Sequence, residues 1–170
     1  MNLLNLAYFI TLIGLSVVLA LASYADRVYS EMGKFLAREY QDNIDSWEQL
    51  IEPRLRLGRE SIALASSILR QLSVAAISLF WGLHLYQVTS GQIQIPSRAE
   101  VARAVAELIL LILIFDRLIP QILFARTEGI WVRRIRMVLQ VFFYLILPIA
   151  IVLQLLLSIA ALAEPEDKTE

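Results

Sequence analysis

The residues able to do chemistry are few, and most of them interrupt apolar runs. Asp116-Arg117 follows the run Leu108-Ile109-Leu110-Leu111-Ile112-Leu113-Ile114-Phe115, and Pro120 stands four residues after Asp116. A helical proline has no N–H, so in an α-helix the carbonyl of Asp116 loses its donor. Free carbonyls and a carboxylate at a kink are hard oxygen ligands, which suits a cation. The alternative is an ion pair at the end of the apolar run, with both side chains reaching toward water. Ser23 and Asp26 close the first apolar run. They read either as the point where a helix leaves a membrane or as further oxygen ligands. Arg70-Gln71 interrupts the second run. Arg70 can snorkel, and Gln71 can hydrogen-bond between helices or line a cavity.

Other chemistries are excluded by composition. The chain has no Cys and one His, so thiol chemistry is absent and a zinc cluster is not expected. No glycine-rich phosphate loop, Gly-x-Ser-x-Gly or His-Glu-x-x-His motif occurs. We expect no enzyme, and a net charge of -1 gives no nucleic-acid footprint.

The elements that must position these residues are apolar and helical. Hydrophobic residues make up 58% of the 170 and charged residues 18%, and the former lie in long runs. The first charge is Asp26, and Met137 to Ala163 holds none. About 20 apolar residues cross a bilayer as a helix, so these runs suffice. The expectation is an all-α integral membrane domain over 1–163, in contact with the lipid bilayer. Spans are expected at about 3–24, 61–86 and 99–125. A fourth apolar helix, 137–163, carries Pro148 and reads as a belt or as a span. Residues 164–170 form an acidic tail. Ala20-Leu21-Ala22 resembles a signal cleavage site, but no Lys or Arg precedes the run, which favours a retained span.

Between the first two runs, 27–59 has apolar residues at steps of three and four. Two amphipathic juxtamembrane helices are expected, the second starting at the capping box Ser46-Trp47-Glu48-Gln49 and ending or kinking at Pro53. They lie on the membrane surface or pack as a hairpin on the protein itself. Gln87 to Ser97 reads as an exposed loop, and His84 as an interfacial residue. Six Lys or Arg lie in 26–60 and four in 126–136, which places both stretches in the cytoplasm and the N-terminus outside. The small residues around Ala63–Ser67 and Ser73–Ala76 suit close packing, in a homodimer or within the chain.

The order of these features resembles the transmembrane domain of the CorC/cyclin M (CNNM) magnesium transporters. The match is strongest over Leu113–Arg126, where the family shows an apolar run, then Phe-Gly-Glu-Ile-Ile-Pro-Lys and Leu-Ala-Arg-Asn. Phe115, Pro120 and Ala125-Arg126 coincide with that pattern. Ser23-Tyr24-Ala25-Asp26 stands where the family has Ser-x-x-Glu, and Gln71 near its Asn-rich turn. The resemblance implies a bacterial inner-membrane homodimer, a belt-like fourth helix and transport of Mg2+ or another divalent cation. It also implies a cytoplasmic CBS module, or another membrane subunit, as partner. Either the protein lacks the module or the 170 residues stop short of it. Ser23, Asp26, Gln71 and Asp116 are the candidate ion-site residues. Arg117 departs from the family, because it stands where the family's glutamate does. An arginine repels a divalent cation, so Arg117 is expected to replace the metal, with Asp26 or Asp116 as counter-charge. A non-transporting interaction or scaffold subunit is the alternative function.

Overall fold

The computed structural model describes residues 3–32, 41–55, 58–85, 88–89, 92–93 and 97–163. Apart from one two-residue ladder, the regular elements are helices. Helix α1 spans Leu3–Glu31, α2 Gln41–Leu50 and α3 the single turn Glu52–Leu55. Helix α4 spans Arg59–Leu85. Strands β1 (Val88–Thr89) and β2 (Gln92–Ile93) pair antiparallel, with Val88 opposite Ile93, in the stretch expected to be loop. A composite helix follows: α5 (Arg98–Ile112), a π-helical segment (Leu113–Leu118) and α6 (Ile119–Arg126). Helix α7 spans Val132–Ala163.

Among the described residues, four helices are long and apolar enough to cross a membrane: α1, α4, the composite α5–π–α6, and α7. Their boundaries depart from the sequence-based expectation where a charge suggests an end. Helix α1 runs on past Tyr24 to Glu31, because Asp26 to Glu31 contains no breaker and Val28 is buried against neighbouring helices. The first juxtamembrane helix therefore begins as the end of α1, and 33–40 falls outside the described residues. Helix α2 starts at Gln41 and not at Ser46. The Ser46 hydroxyl is not a cap. It donates to the Glu128 carbonyl at 2.7 Å. Helix α2 ends at Leu50 and restarts only as α3, where Pro53 contributes no N–H. Ser97 caps α5 with a complete capping box to Glu100.

Helices α1 and α4 are antiparallel. At one end Tyr8 stacks on Phe80 and on His84, with ring centroids 5.0 and 3.8 Å apart. At the other, Asp26 meets Arg70 at 3.0 Å. Two apolar clusters divide this pair. One holds Leu12, Leu19 and Ile77, with Leu108, Leu111 and Phe115 from the third helix packed on it. The other holds Val28, Trp47, Ile62, Leu69, Phe124 and Phe143, and joins α1, α2, α4, α6 and α7. Trp47 is fully buried, so the apolar stripe of α2 faces the protein. Ala65, Ser66 and Ser73 are also buried, so these small residues serve packing within the chain.

Helix α7 belongs to the second cluster only. Trp131, just before it, lies 4.9 Å from the Tyr24 ring. Further along, the Tyr144 hydroxyl donates to the Leu55 carbonyl at 3.0 Å, and Ser61 donates to Gln154 at 3.1 Å. From Val132 to Gln154 a helix rises about 33 Å. Over that length α7 moves from the level of Tyr24 to the first turn of α4. It advances away from the Tyr8–Phe80 end, and among the described residues none of α7 joins the cluster there. Helix α7 thus packs on the bundle away from the Tyr8–Phe80 end, and its length and composition suit a span.

Trp47→Ala should lower stability by about 3–5 kcal/mol, the usual cost of emptying a buried aromatic site. Thermal unfolding in detergent measures it. A loss below about 1 kcal/mol would mean that α2 is not packed into the core.

Candidate functional site

Three elements bring polar groups to one point between the two clusters. Ser23 and Asp26 are three residues apart and share a face of α1. Arg70 comes from α4, and Asp116 from the π-helical segment. The Arg70 guanidinium grips Asp116 side-on: Nε donates to Oδ1 at 2.6 Å and Nη2 to Oδ2 at 2.8 Å. Its remaining nitrogen, Nη1, donates to Asp26 Oδ2 at 3.0 Å. Ser23 Oγ donates to Asp116 Oδ1 at 2.6 Å. This planar, forked geometry is specific to arginine.

The π turn is what presents Asp116. Pro120 cannot donate to the Asp116 carbonyl, so α-helical pairing fails at that point. Just before it the helix widens to bonds five residues apart, and the Ile119 N–H donates to the Ile114 carbonyl. The widened turn packs against α1, and the Asp116 side chain there is only 10% exposed. Pro120 is itself buried close to this carboxylate. The expected kink is therefore a local widening, and the proline's main consequence is where it sets the carboxylate.

A cleft of about 150 Å³ opens beside the ion pair. Its charged lining is Asp26, Glu31 and Asp116 against Arg27, Arg70 and Arg117. Three acids face three arginines, so the formal charge of the cleft is zero.

The structure brings together Ser23, Asp26, Asp116 and Pro120, sets Arg117 at the exposed rim and leaves out Gln71. Gln71 is exposed, because the residue after Arg70 points about 100° further round the helix. Arg117 is the more important correction. Its side chain is 69% exposed and reaches Asp116 only at 3.6 Å, beyond hydrogen-bond geometry for this pair. The central guanidinium is that of Arg70, which sequence reasoning treats as a snorkelling residue. A signal for it exists: Arg70 is the one Lys, Arg, Asp or Glu between Glu60 and Arg98. Glu107, also costly in a span, faces outward and pairs with Arg103 at 2.7 Å.

This arrangement does not fit a divalent cation as it stands. Magnesium needs about six oxygens in an octahedron. Here three of the carboxylate oxygens already accept from a guanidinium, which occupies the place between Asp26 and Asp116. Among the described residues, no three His, Asp or Glu stand close enough to hold a metal ion. Comparison with family models, with curated proteins and with solved structures returns no match.

Arg70→Gln should strand two carboxylates. The loss should approach, and for a partly exposed guanidinium fall somewhat short of, the about 3–5 kcal/mol of a fully buried pair. Adding Asp116→Asn should restore much of it. Arg117→Gln should change stability by no more than about 0.5 kcal/mol. Unfolding of the four proteins in one detergent makes the comparison, and equal losses for Arg70→Gln and Arg117→Gln would contradict the geometry.

Proposed function

We propose that this chain is an integral membrane domain of the CorC/cyclin M type that works as a non-transporting interaction or scaffold subunit. The observation that carries the reading is the Arg70 guanidinium between Asp26 and Asp116, at 3.0 and 2.6 Å. It supplies the positive charge that a cation would otherwise bring. A divalent ion entering there must displace a paired guanidinium and meet its repulsion. The domain then has a permanent internal ion pair in place of an exchangeable ligand, and its helices stay together without metal. In this reading the protein is no enzyme, sits in a bacterial inner membrane and pairs with a second copy. The stretches 26–60 and 126–136 face the cytoplasm, following their Lys and Arg content.

A second reading, transport of magnesium or another divalent cation, has one observation in its favour. Ser23, Asp26 and Asp116 converge on one cleft, and these are oxygen ligands of the right kind. Transport would require Arg70 to swing out.

Thermal unfolding in millimolar MgCl2, against chloride-matched KCl, separates the two. The wild type should show no magnesium-specific shift. Arg70→Gln, which frees the carboxylates, should gain one of several degrees. A magnesium-specific rise of several degrees in the wild type favours transport instead, and Asp116, Asp26 and Ser23 then become the residues to mutate first.

A further inference from the structure

The turn between α6 and α7 carries charge that nothing in the site uses. Between 126 and 136 stand Arg126, Arg133, Arg134 and Arg136, against the single acid Glu128. Arg126, Arg133 and Arg134 are exposed, and among the described residues none of the four forms an ion pair. Arg59, Arg70 and Arg103 each have a carboxylate, whereas Arg54 and Arg98, like these four, form no ion pair among the described residues. Asp42 and Asp45 of α2 line a cleft on one side of this turn with its own Glu128 and Ile130.

The turn is built to hold its shape. Gly129 has φ +74°, a left-handed conformation that side chains resist, and a Cβ there would come within 3.0 Å of Ser46 Cβ. Asn43 donates to the carbonyls of Phe124 and Thr127 at 2.9 and 2.7 Å, and Ser46 donates to that of Glu128. Helix α2 thus clamps the turn and fixes the point from which the arginines project.

Apolar surface flanks these charges on both sides. Ile122 is 49% exposed one turn before Arg126, and Met137 is 68% exposed one turn after Arg133. Exposed methylenes and unpaired guanidinia side by side suit neither bulk water nor a hydrocarbon interior. They suit the headgroup zone, where acyl chains and phosphates lie a few ångströms apart.

We propose that the α6–α7 turn is a binding site for the headgroup phosphate of an anionic phospholipid. Arg126, Arg133 and Arg134 supply the positive charge that draws the phosphate, while the outward faces of α6 and α7 hold the acyl chains. This proposal rests on the membrane reading above. Each basic residue near an anionic surface favours binding about fivefold, so three favour it on the order of a hundredfold.

Native mass spectrometry of protein released from nanodiscs tests it, with phosphatidylglycerol and phosphatidylcholine mixed in equal parts. The wild type should retain phosphatidylglycerol at least tenfold over phosphatidylcholine. Arg126→Gln/Arg133→Gln/Arg134→Gln should bring the ratio within about twofold of unity, and the corresponding triple Lys variant should keep most of the preference. Inorganic phosphate at equal concentration should not displace the lipid. Equal retention of both lipids by the wild type, an unchanged ratio in the Gln variant, or displacement by free phosphate would each overturn the proposal. Failure of the wild type to enter nanodiscs of either lipid would overturn the membrane reading as well. A Gln variant that enters the discs with wild-type unfolding temperature shows that the change is in binding and not in folding.

Discussion

A guanidinium between two carboxylates is the contact on which the arrangement of α1, α4 and the third helix depends. Each charge alone would be costly in a poorly hydrated interior, so no member can move without stranding the others. Arg70 is suited to this because its three nitrogens point in fixed directions. Two of them close on Asp116 and the third reaches Asp26. A lysine offers a single point charge and could not satisfy both carboxylates in the same geometry. The contact therefore fixes the register of α1 against α4 as well as the rotation of the third helix. Apolar packing alone leaves both loosely specified, since leucine and isoleucine faces interlock in several ways.

The position of Asp116 depends in turn on backbone chemistry four residues away. Pro120 removes one donor, and the helix answers with a π turn instead of a sharp bend. Widening a turn by one residue rotates everything after it relative to everything before it. That rotation lets α5 present Leu108 and Leu111 to one apolar cluster while α6 presents Phe124 to the other. The same turn sits between them and carries the carboxylate. One proline thus contributes to the site and to the packing of two separate cores.

Much of this is legible in residue types. Long charge-free runs mark the apolar helices, because a helix satisfies its own backbone wherever water is scarce. Asp116, Ser23 and Asp26 stand out because polar groups beside such runs need partners. What stays hidden is partnership. Charge and spacing are local, whereas Arg70 and Asp116 are 46 residues apart in sequence and meet only because α4 and the π-helical segment both pack against α1. Arg117 is the plausible partner by adjacency, yet neighbours along a helix point about 100° apart and seldom share a target. Ser46 misleads for a related reason: its capping pattern is real, but its hydroxyl is taken by Glu128 from a distant turn. Helix α7 shows the same limit in another form. Length and hydropathy say that it can cross a membrane, and only the structure shows that it packs on Leu55 and Ser61.

Those contacts also explain why the polar site stands where it does. The ion pair lies at the boundary between the two apolar clusters. On one side α1 and α4 are covered by α2, α6 and α7, so residues such as Val28 and Ile62 are fully buried. On the other side, among the described residues, the pair is covered only by the third helix, and residues such as Ile13 and Leu79 remain more than half exposed. An apolar interface that changes partners along its length cannot by itself define how far one helix slides on another, because a shift of one turn exchanges like for like. A charged pair at the boundary removes that freedom, since a slide of about 5.4 Å would separate ions now in contact at 3.0 and 2.6 Å. Specificity of this kind costs desolvation energy and gives little net stability. It is worth keeping where the covered end must stay in register with the turn at Gly129, which is held from α2 through Asn43 and Ser46. Asn43 also accepts from Tyr24, one residue beyond Ser23 on α1. The site and the clamped turn are therefore linked through a single buried amide, and the position of Asp116 and the projection of the arginines follow from one arrangement of helices.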